Sequence, residues 1–260
     1  MKGGAMPKLD SDVLVINDLV VDRGAVFELQ IASLKLKGGE ILGVVGNNGA
    51  GKTTLLLSIL EFLDREKGEL RLFDKTWNED EIFIKRNLGA YLDTSFLIDY
   101  MQVEEYYSFI ASVYGLDMIA TKTRISEFLD SLPIEFLSKQ LIRELSAGNF
   151  TKVGLIGSLI HKPKLILWDE PFANLDPYSK NRLMELVLEV KAEENTSFII
   201  SSHNIEEIYS IADRFLVLDK GRTLAAEAKD VLSRDDINNL LGLKRKEYLS
   251  TTSLNLTKKL

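Results

Sequence analysis

The chemistry of this chain is concentrated in a few short stretches. Gly46-Asn47-Asn48-Gly49-Ala50-Gly51-Lys52-Thr53-Thr54 places four residues between a glycine and a Gly-Lys-Thr triplet. Glycines at that spacing let successive backbone N–H groups converge on a bound anion, and a helix N-terminus behind them adds positive potential. Lys52 is suited to neutralising phosphate charge, and the Thr53 hydroxyl can ligate Mg²⁺. A glycine-rich turn with no ligand is the bland alternative. The apolar run ahead of the loop and the helical spacing of Leu55, Leu56, Ile59, Leu60 and Leu63 after it supply the strand-loop-helix context that a phosphate loop requires.

Downstream, Leu165-Ile166-Leu167-Trp168-Asp169-Glu170 is an apolar strand ending in two carboxylates. Asp169 suits a metal ligand, and Glu170 suits a base that polarises an attacking water. On its own such a strand is more often structural. Beside a phosphate loop it becomes the other half of a nucleotide site. His203 follows Ser201 and Ser202 at the end of another apolar run. It should therefore emerge at the carboxyl edge of a sheet, where ligands gather in open α/β folds. His161, in a loop before Pro163, is expected at the surface.

A further segment, Leu145-Ser146-Ala147-Gly148-Asn149, precedes an apolar helix. Its small residues permit close backbone approach, and Ser146 at a helix N-terminus makes an anion site. Read alone, it is a helix cap.

The positioning elements are legible from periodicity. Short β-rich runs at Val13 to Val21, Val26 to Leu36, Glu40 to Val45, Glu69 to Phe73 and Leu88 to Leu92 surround the first helix. From about Asp99 to Arg143 the pattern turns helical, broken only at Gly115 and Pro133, and reads as an inserted α lobe. Strand and helix then alternate: Lys164 to Trp168, Ser179 to Lys191, Ser197 to Ser201, Ile205 to Ala212 and Phe215 to Leu218. Such alternation indicates an α/β fold with a parallel sheet covered by helices.

Composition narrows the class. The chain has 260 residues, with 32 Lys plus Arg against 39 Asp plus Glu, a net charge of -7 that argues against a nucleic-acid partner. There is no cysteine, and with only 2 histidines a zinc site is not expected. No apolar run approaches the ~20 residues of a membrane span. Residues 1–11 are expected to be a flexible leader outside the fold. The lysines and arginine after Leu243 suggest a solvated tail or a contact with a partner or anionic surface.

Taken in order, these motifs resemble the nucleotide-binding domains of ABC transporters, with similarity from about Val13 to Leu232, and Ser146 to Asn149 in the place of the ABC signature. The resemblance implies a P-loop NTPase (RecA-like) core with an antiparallel β subdomain. The domain is expected at 12–235, its inserted lobe at about 94–145, and a C-terminal tail at 236–260. It implies ATP and Mg²⁺, with hydrolysis by the chain as an ATP hydrolase.

It further implies a head-to-tail dimer with a second ATPase subunit, either identical or different. The phosphate loop of one subunit and Ser146 and Gly148 of the other would sandwich each ATP. Ala173 to Asp176 would then communicate across the dimer, and His203 would touch the γ-phosphate. The implied partners are separate membrane-spanning permease subunits, and the implied location is the cytoplasmic, inner face of the cell membrane. Val103 to Tyr107 and Val113 to Leu116 look like the corresponding stretch in drug, antibiotic and polypeptide exporters. A non-transport ABC ATPase and a catalytically weak half of a heterodimer are the alternatives.

Two positions depart from the family pattern. Arg23 stands where relatives place the aromatic residue that stacks on adenine, with Phe27 an alternative source of a ring. Asp93 stands where they place a glutamine that approaches Mg²⁺, and is carried as a candidate metal ligand. Ala147 and Asn149 replace the commonest signature residues, Gly and Gln.

Overall fold

The computed structural model describes residues 12–24, 27–92, 97–135 and 140–242. The apolar runs are strands covered on both sides. β3 (Ile41–Val45), β5 (Leu88–Tyr91), β6 (Leu165–Asp169), β7 (Ser197–Ser202) and β8 (Arg214–Asp219) lie parallel, in the spatial order β8-β3-β7-β6-β5.

Side chains alternate between the two faces of this sheet. Ile41, Val45, Ile166, Trp168, Phe198, Ile200, Phe215 and Val217 enter one core, and Leu42, Val44, Leu165, Leu167, Ile199, Leu216 and Leu218 enter the other. Burial on both faces explains why these strands read as continuous rather than alternating apolar runs.

The first core is closed by helices α5 (Ala147–Leu159), α6 (Pro177–Glu194) and α7 (Ile205–Tyr209). The second is closed by α1 (Lys52–Ile59) together with an antiparallel wing. That wing comprises β1 (Asp12–Asp22), β2 (Glu28–Lys37) and β4 (Lys67–Leu72). It continues the same sheet: β9 (Arg222–Ala228) pairs antiparallel with β8 and meets β2 at the single register pair Gln30 and Arg222, giving nine strands among the described residues.

The lobe is built on α3 (Val103–Tyr114) and α4 (Met118–Ser131). Gly115 ends α3 in the left-handed conformation, φ 65°, which a glycine adopts without penalty, and Asp117 caps α4 by accepting from the N–H groups of Ile119 and Ala120. The two breakers read from the sequence fall at helix ends, Gly115 directly after α3 and Pro133 two residues beyond α4. The signature-like segment opens α5, where Ser146 Oγ accepts from Asn149 N–H at 3.3 Å.

Three elements were not read from the sequence. One is α2 (Trp77–Asn87), in which Ile84 is the only buried residue and Asp80 breaks the helical backbone, so no apolar stripe exists to be seen. Its start was nevertheless encoded, since Glu79 reaches back to accept the Thr76 N–H at 2.6 Å. The interior strand β9, which buries none of its residues, was the second. The third is α8 (Arg234–Leu240), which runs across the point where a tail was expected to begin, with Ile237 fully buried in the core.

Candidate active site at the phosphate loop

β3 delivers the chain to Gly46 and α1 carries it away from Lys52, so the loop between them sits at the carboxyl edge of the parallel sheet. Gly46 packs so closely that a Cβ there would lie 2.5 Å from the Leu218 carbonyl oxygen. Gly49 and Gly51 take φ values of 79° and 108°, which L side chains rarely adopt. The turn after β8 braces the loop from outside, with Gly221 N–H donating to the Ala50 carbonyl at 2.9 Å. An open cleft of about 290 Å³ is lined by Asn48, Gly49, Ala50, Gly51, Lys52, Thr53 and Thr54, together with Phe27 and Glu170.

Lys52 is buried. Its ammonium donates to the Gly46 carbonyl at 2.9 Å and stands 3.1 Å from Glu170 Oε1. The other Glu170 oxygen faces His203 Nδ1 at 2.8 Å and accepts the His203 N–H at 3.2 Å. Three residues from α1, the end of β6 and the end of β7 therefore meet at one carboxylate. Glu170 itself is held at φ 48°, a left-handed conformation costly for a non-glycine residue.

One layer deeper, Thr53 Oγ1 donates to Asp169 Oδ2 at 2.6 Å. Burial pushes the Asp169 carboxyl above its ordinary range, against the opposing hydrogen bonds from Ser201 and Thr53. One buried carboxylate and one hydroxyl fit Mg²⁺, which keeps several waters and takes phosphate oxygens rather than a protein cage. No cluster of three or more His, Cys, Asp or Glu suited to a metal occurs among the described residues.

The sequence pattern of the family described as ABC transporter matches residues 29–173. This chain belongs to that family. An uncharacterized ABC transporter ATP-binding protein of Nostoc sp. is 32% identical over 209 residues, covering 80% of this chain and 62% of the relative. The linearmycin resistance ATP-binding protein of Bacillus subtilis is 30% identical over 203 residues, covering 78% of this chain and 65% of the relative. The chain thus spans under two thirds of either relative's length. A solved structure described as the ATP binding subunit of an ABC transporter superposes with a TM-score of 0.77 at 25% identity, covering 86% of this chain and 92% of that one. The family is one of ATP hydrolases, in line with the enzyme class expected from the motifs.

Within this ABC domain the sequence-derived candidates fall into distinct places. Asn48 through Thr54, Phe27 and Glu170 line the cleft, whereas Asn47 lies on the outer side of the loop, where its amide donates to the Leu241 carbonyl at 3.4 Å. Of the two residues named for the base, Phe27 lines the cleft and Arg23 does not. Arg23 is exposed in the turn beyond β1, its N–H donating to the Phe27 carbonyl at 2.9 Å. Ser146 and Ala147 are exposed at the start of α5, and neither Ser146 nor Gly148 lines the cleft that holds Lys52. Asp176 caps α6, accepting from Ser179 N–H at 3.0 Å and Ser179 Oγ at 2.6 Å, which holds its carboxyl below the ordinary range. Asp93 lies outside the described residues.

His161 is not the surface residue expected. It packs beneath Tyr114, ring centroids 3.9 Å apart and nearly parallel, and its Nε2 donates to the Leu88 carbonyl at 3.0 Å.

A functional residue the motifs did not single out is Ser201. Its hydroxyl donates to Asp169 Oδ1 and accepts the Glu170 N–H at 2.9 Å, so one buried side chain holds both acidic residues. The only sequence signal was its place two residues ahead of His203.

Proposed function

We propose that this chain is the ATP-hydrolysing motor subunit of an ABC exporter, closing head to tail with a second ATPase subunit on two ATP molecules and driving separate membrane-spanning subunits. The observation that carries the reading is the convergence of Lys52 and His203 on Glu170 beside the phosphate loop.

In this reading the loop amides and Lys52 hold the β- and γ-phosphates, and Thr53 and Asp169 hold Mg²⁺, which supplies charge neutralisation between them. Glu170 orients a water and takes its proton as the water oxygen bonds to the γ-phosphorus and the bond to the bridging oxygen of ADP breaks. His203, bonded to Glu170 through Nδ1, keeps its other ring nitrogen for a γ-phosphate oxygen. Ser146, exposed, and Gly148, half-buried, both lie outside their own cleft and serve the nucleotide of the second subunit. Phe27 supplies the ring beside the base.

The membrane step is assigned to separate membrane-spanning subunits, with this chain at the inner face of the cell membrane; no helix among the described residues is long and apolar enough to cross a membrane. A cavity of about 710 Å³, lined by Phe62, Trp77, Ile82, Val113 and Tyr114, supports a docking place for an amphipathic segment of that chain. Phe62, Ile82 and Val113 are 58%, 70% and 64% exposed there, an apolar patch rimmed by Glu61, Glu81, Lys85 and Arg86. Export is supported by the lobe sequence and by the similarity to a linearmycin resistance ATP-binding protein.

The test is co-expression with the membrane subunits, followed by ATPase and transport assays in vesicles. Ile82→Asp and Val113→Asp should retain the basal ATPase of the isolated chain and lose co-purification with the membrane partner. A chain with no basal ATPase, or variants that still co-purify fully, would sink the corresponding part of the reading.

A further inference from the structure

Tyr91, the last residue of the edge strand β5, lies against α5 where there is no side chain to obstruct it. A Cβ on Gly154 would come within 2.5 Å of its ring. That seat carries the phenol one turn toward the start of α5, where its hydroxyl donates to Thr151 Oγ1 at 3.1 Å. The same Thr151 oxygen accepts the Asn174 side-chain amide at 3.4 Å. Thr151 is 1% exposed and Tyr91 5%, so these bonds form where water does not compete. Asn174 closes the arrangement from the other side: a Cβ on Gly148 would lie 2.9 Å from its carbonyl oxygen. Three segments remote in sequence, the end of β5, the first turns of α5 and the loop after Glu170, are thus tied to one hydroxyl.

We infer that Thr151 is a positioning residue, the junction of a Tyr91–Thr151–Asn174 relay that holds the Ser146-Gly148 segment and the 173–176 loop in mutual register for the nucleotide of the opposing subunit. The assignment of those two segments to the opposing nucleotide rests on the dimer reading above; the register itself rests on the contacts alone. Two features favour positioning over plain packing. The chain uses a hydroxyl with two donors at a site where valine has the same shape. Both partners also approach the backbone so closely that glycine is required, at Gly154 under Tyr91 and at Gly148 under Asn174. Moving α5 along its axis would break both hydrogen bonds and bring both glycines against new neighbours, so the relay admits one register.

The experiment compares Thr151→Val, Thr151→Ser and Tyr91→Phe in the full chain, each also carrying Glu170→Gln for the association measurements. Hydrogen exchange in the isolated chain should be several-fold faster at 146–150 and 173–176 in Thr151→Val, and partly so in Tyr91→Phe. The phosphate loop should be unaffected, and Thr151→Ser, which keeps the hydroxyl, should match the parent. ATP-dependent association should weaken by about tenfold in Thr151→Val, equivalent to about 1.4 kcal/mol, while single-chain ATP affinity stays within twofold. Exchange in Thr151→Val identical to that in Thr151→Ser would overturn the relay. A Glu170→Gln parent that stays monomeric with ATP would instead defeat the dimer reading, and the exchange data would still decide the register.

Discussion

Ser201 stands directly beside Asp169 as its register partner across β7 and β6, and donates its hydroxyl proton to the Asp169 carboxylate. Because the same hydroxyl accepts the Glu170 N–H, the residue fixes a metal-type ligand and a base-type carboxylate in one geometry. Ser201→Ala should leave a buried carboxylate oxygen and a buried N–H without this partner, costing about 1–3 kcal/mol of stability. Outer-shell losses of this kind lower metal affinity or turnover by about 10- to 100-fold. Thermal melting, together with the Mg²⁺ dependence of nucleotide affinity, measures both, and Ser201→Thr should restore most of each.

Glu170→Gln should bind ATP and lose turnover by at least about 100-fold, since the amide cannot accept the proton. The substitution also removes the charge facing Lys52, so ATP affinity should not fall. Size-exclusion chromatography with MgATP should show a trapped dimer. A monomer that turns over at the parent rate would contradict both the base and the dimer assignments.

Base selectivity should be loose, because a ring beside the loop accepts any π face. Phe27→Ala should weaken ATP binding by an amount set by one stacking contact, about 1–3 kcal/mol. Arg23→Ala should matter less, since Arg23 does not line the cleft. GTP should compete well with ATP. Affinities of the two variants and the parent for both nucleotides are the measurement, and unchanged values for both variants would remove this account of the base site.

His161 sets an acid limit on stability. Burial lowers its pKa from 6.5 to about 4, a trend the nearby Arg124 reinforces and the Leu88 hydrogen bond opposes. Because Nε2 donates to Leu88, the neutral ring leaves Nδ1 bare, and Nδ1 is buried with no hydrogen-bond partner for a second proton. The folded state thus prefers the neutral ring. Its contribution is complete above pH 6.5 and is lost as pH falls from 6.5 toward 4. A shift of that size corresponds to about 3 kcal/mol at most. The stability difference between parent and His161→Phe, followed by denaturant unfolding at pH 7 and pH 4.5, should shift by a substantial part of that in favour of the variant at the lower pH.

The fold was most legible where burial is complete on two faces, as at Leu165 to Trp168 and Phe198 to Ile200. It was least legible where burial is slight: Ile84 is the one fully buried residue of α2, and β9, which joins two parts of a sheet, buries none of its residues. At the site, Lys52, Thr53, Asp169 and Glu170 were named because their chemistry is carried by residue type and spacing. Ser201 and Thr151 were not, because a hydroxyl gains its importance from what lies across the sheet or helix from it, and such neighbours are remote in sequence. His161 was misplaced for the same reason. Its partners Tyr114 and Leu88 come from the lobe and from β5.

The wing that carries Phe27 pairs with β9 at one register position, Gln30 and Arg222, with Gln30 N–H also donating to the Gly221 carbonyl at 2.7 Å, and the Lys35 and Lys37 carbonyls accept from Arg214 and Ser197 of the parallel strands. Most of its remaining attachment is apolar, the shared layer of Leu14, Ile16, Leu29 and Ile31 against Leu42, Val44, Leu55 and Leu56. Apolar contact is non-directional and tolerates small sliding, whereas a hydrogen-bonded ladder does not. In mechanical terms the junction is a pliant seam in an otherwise stiff sheet. The cleft straddles that seam, with Phe27 on one bank and the phosphate loop on the other. A nucleotide lying across it acts as a rivet, and its arrival should stiffen the wing against the core even where it touches neither bank strongly.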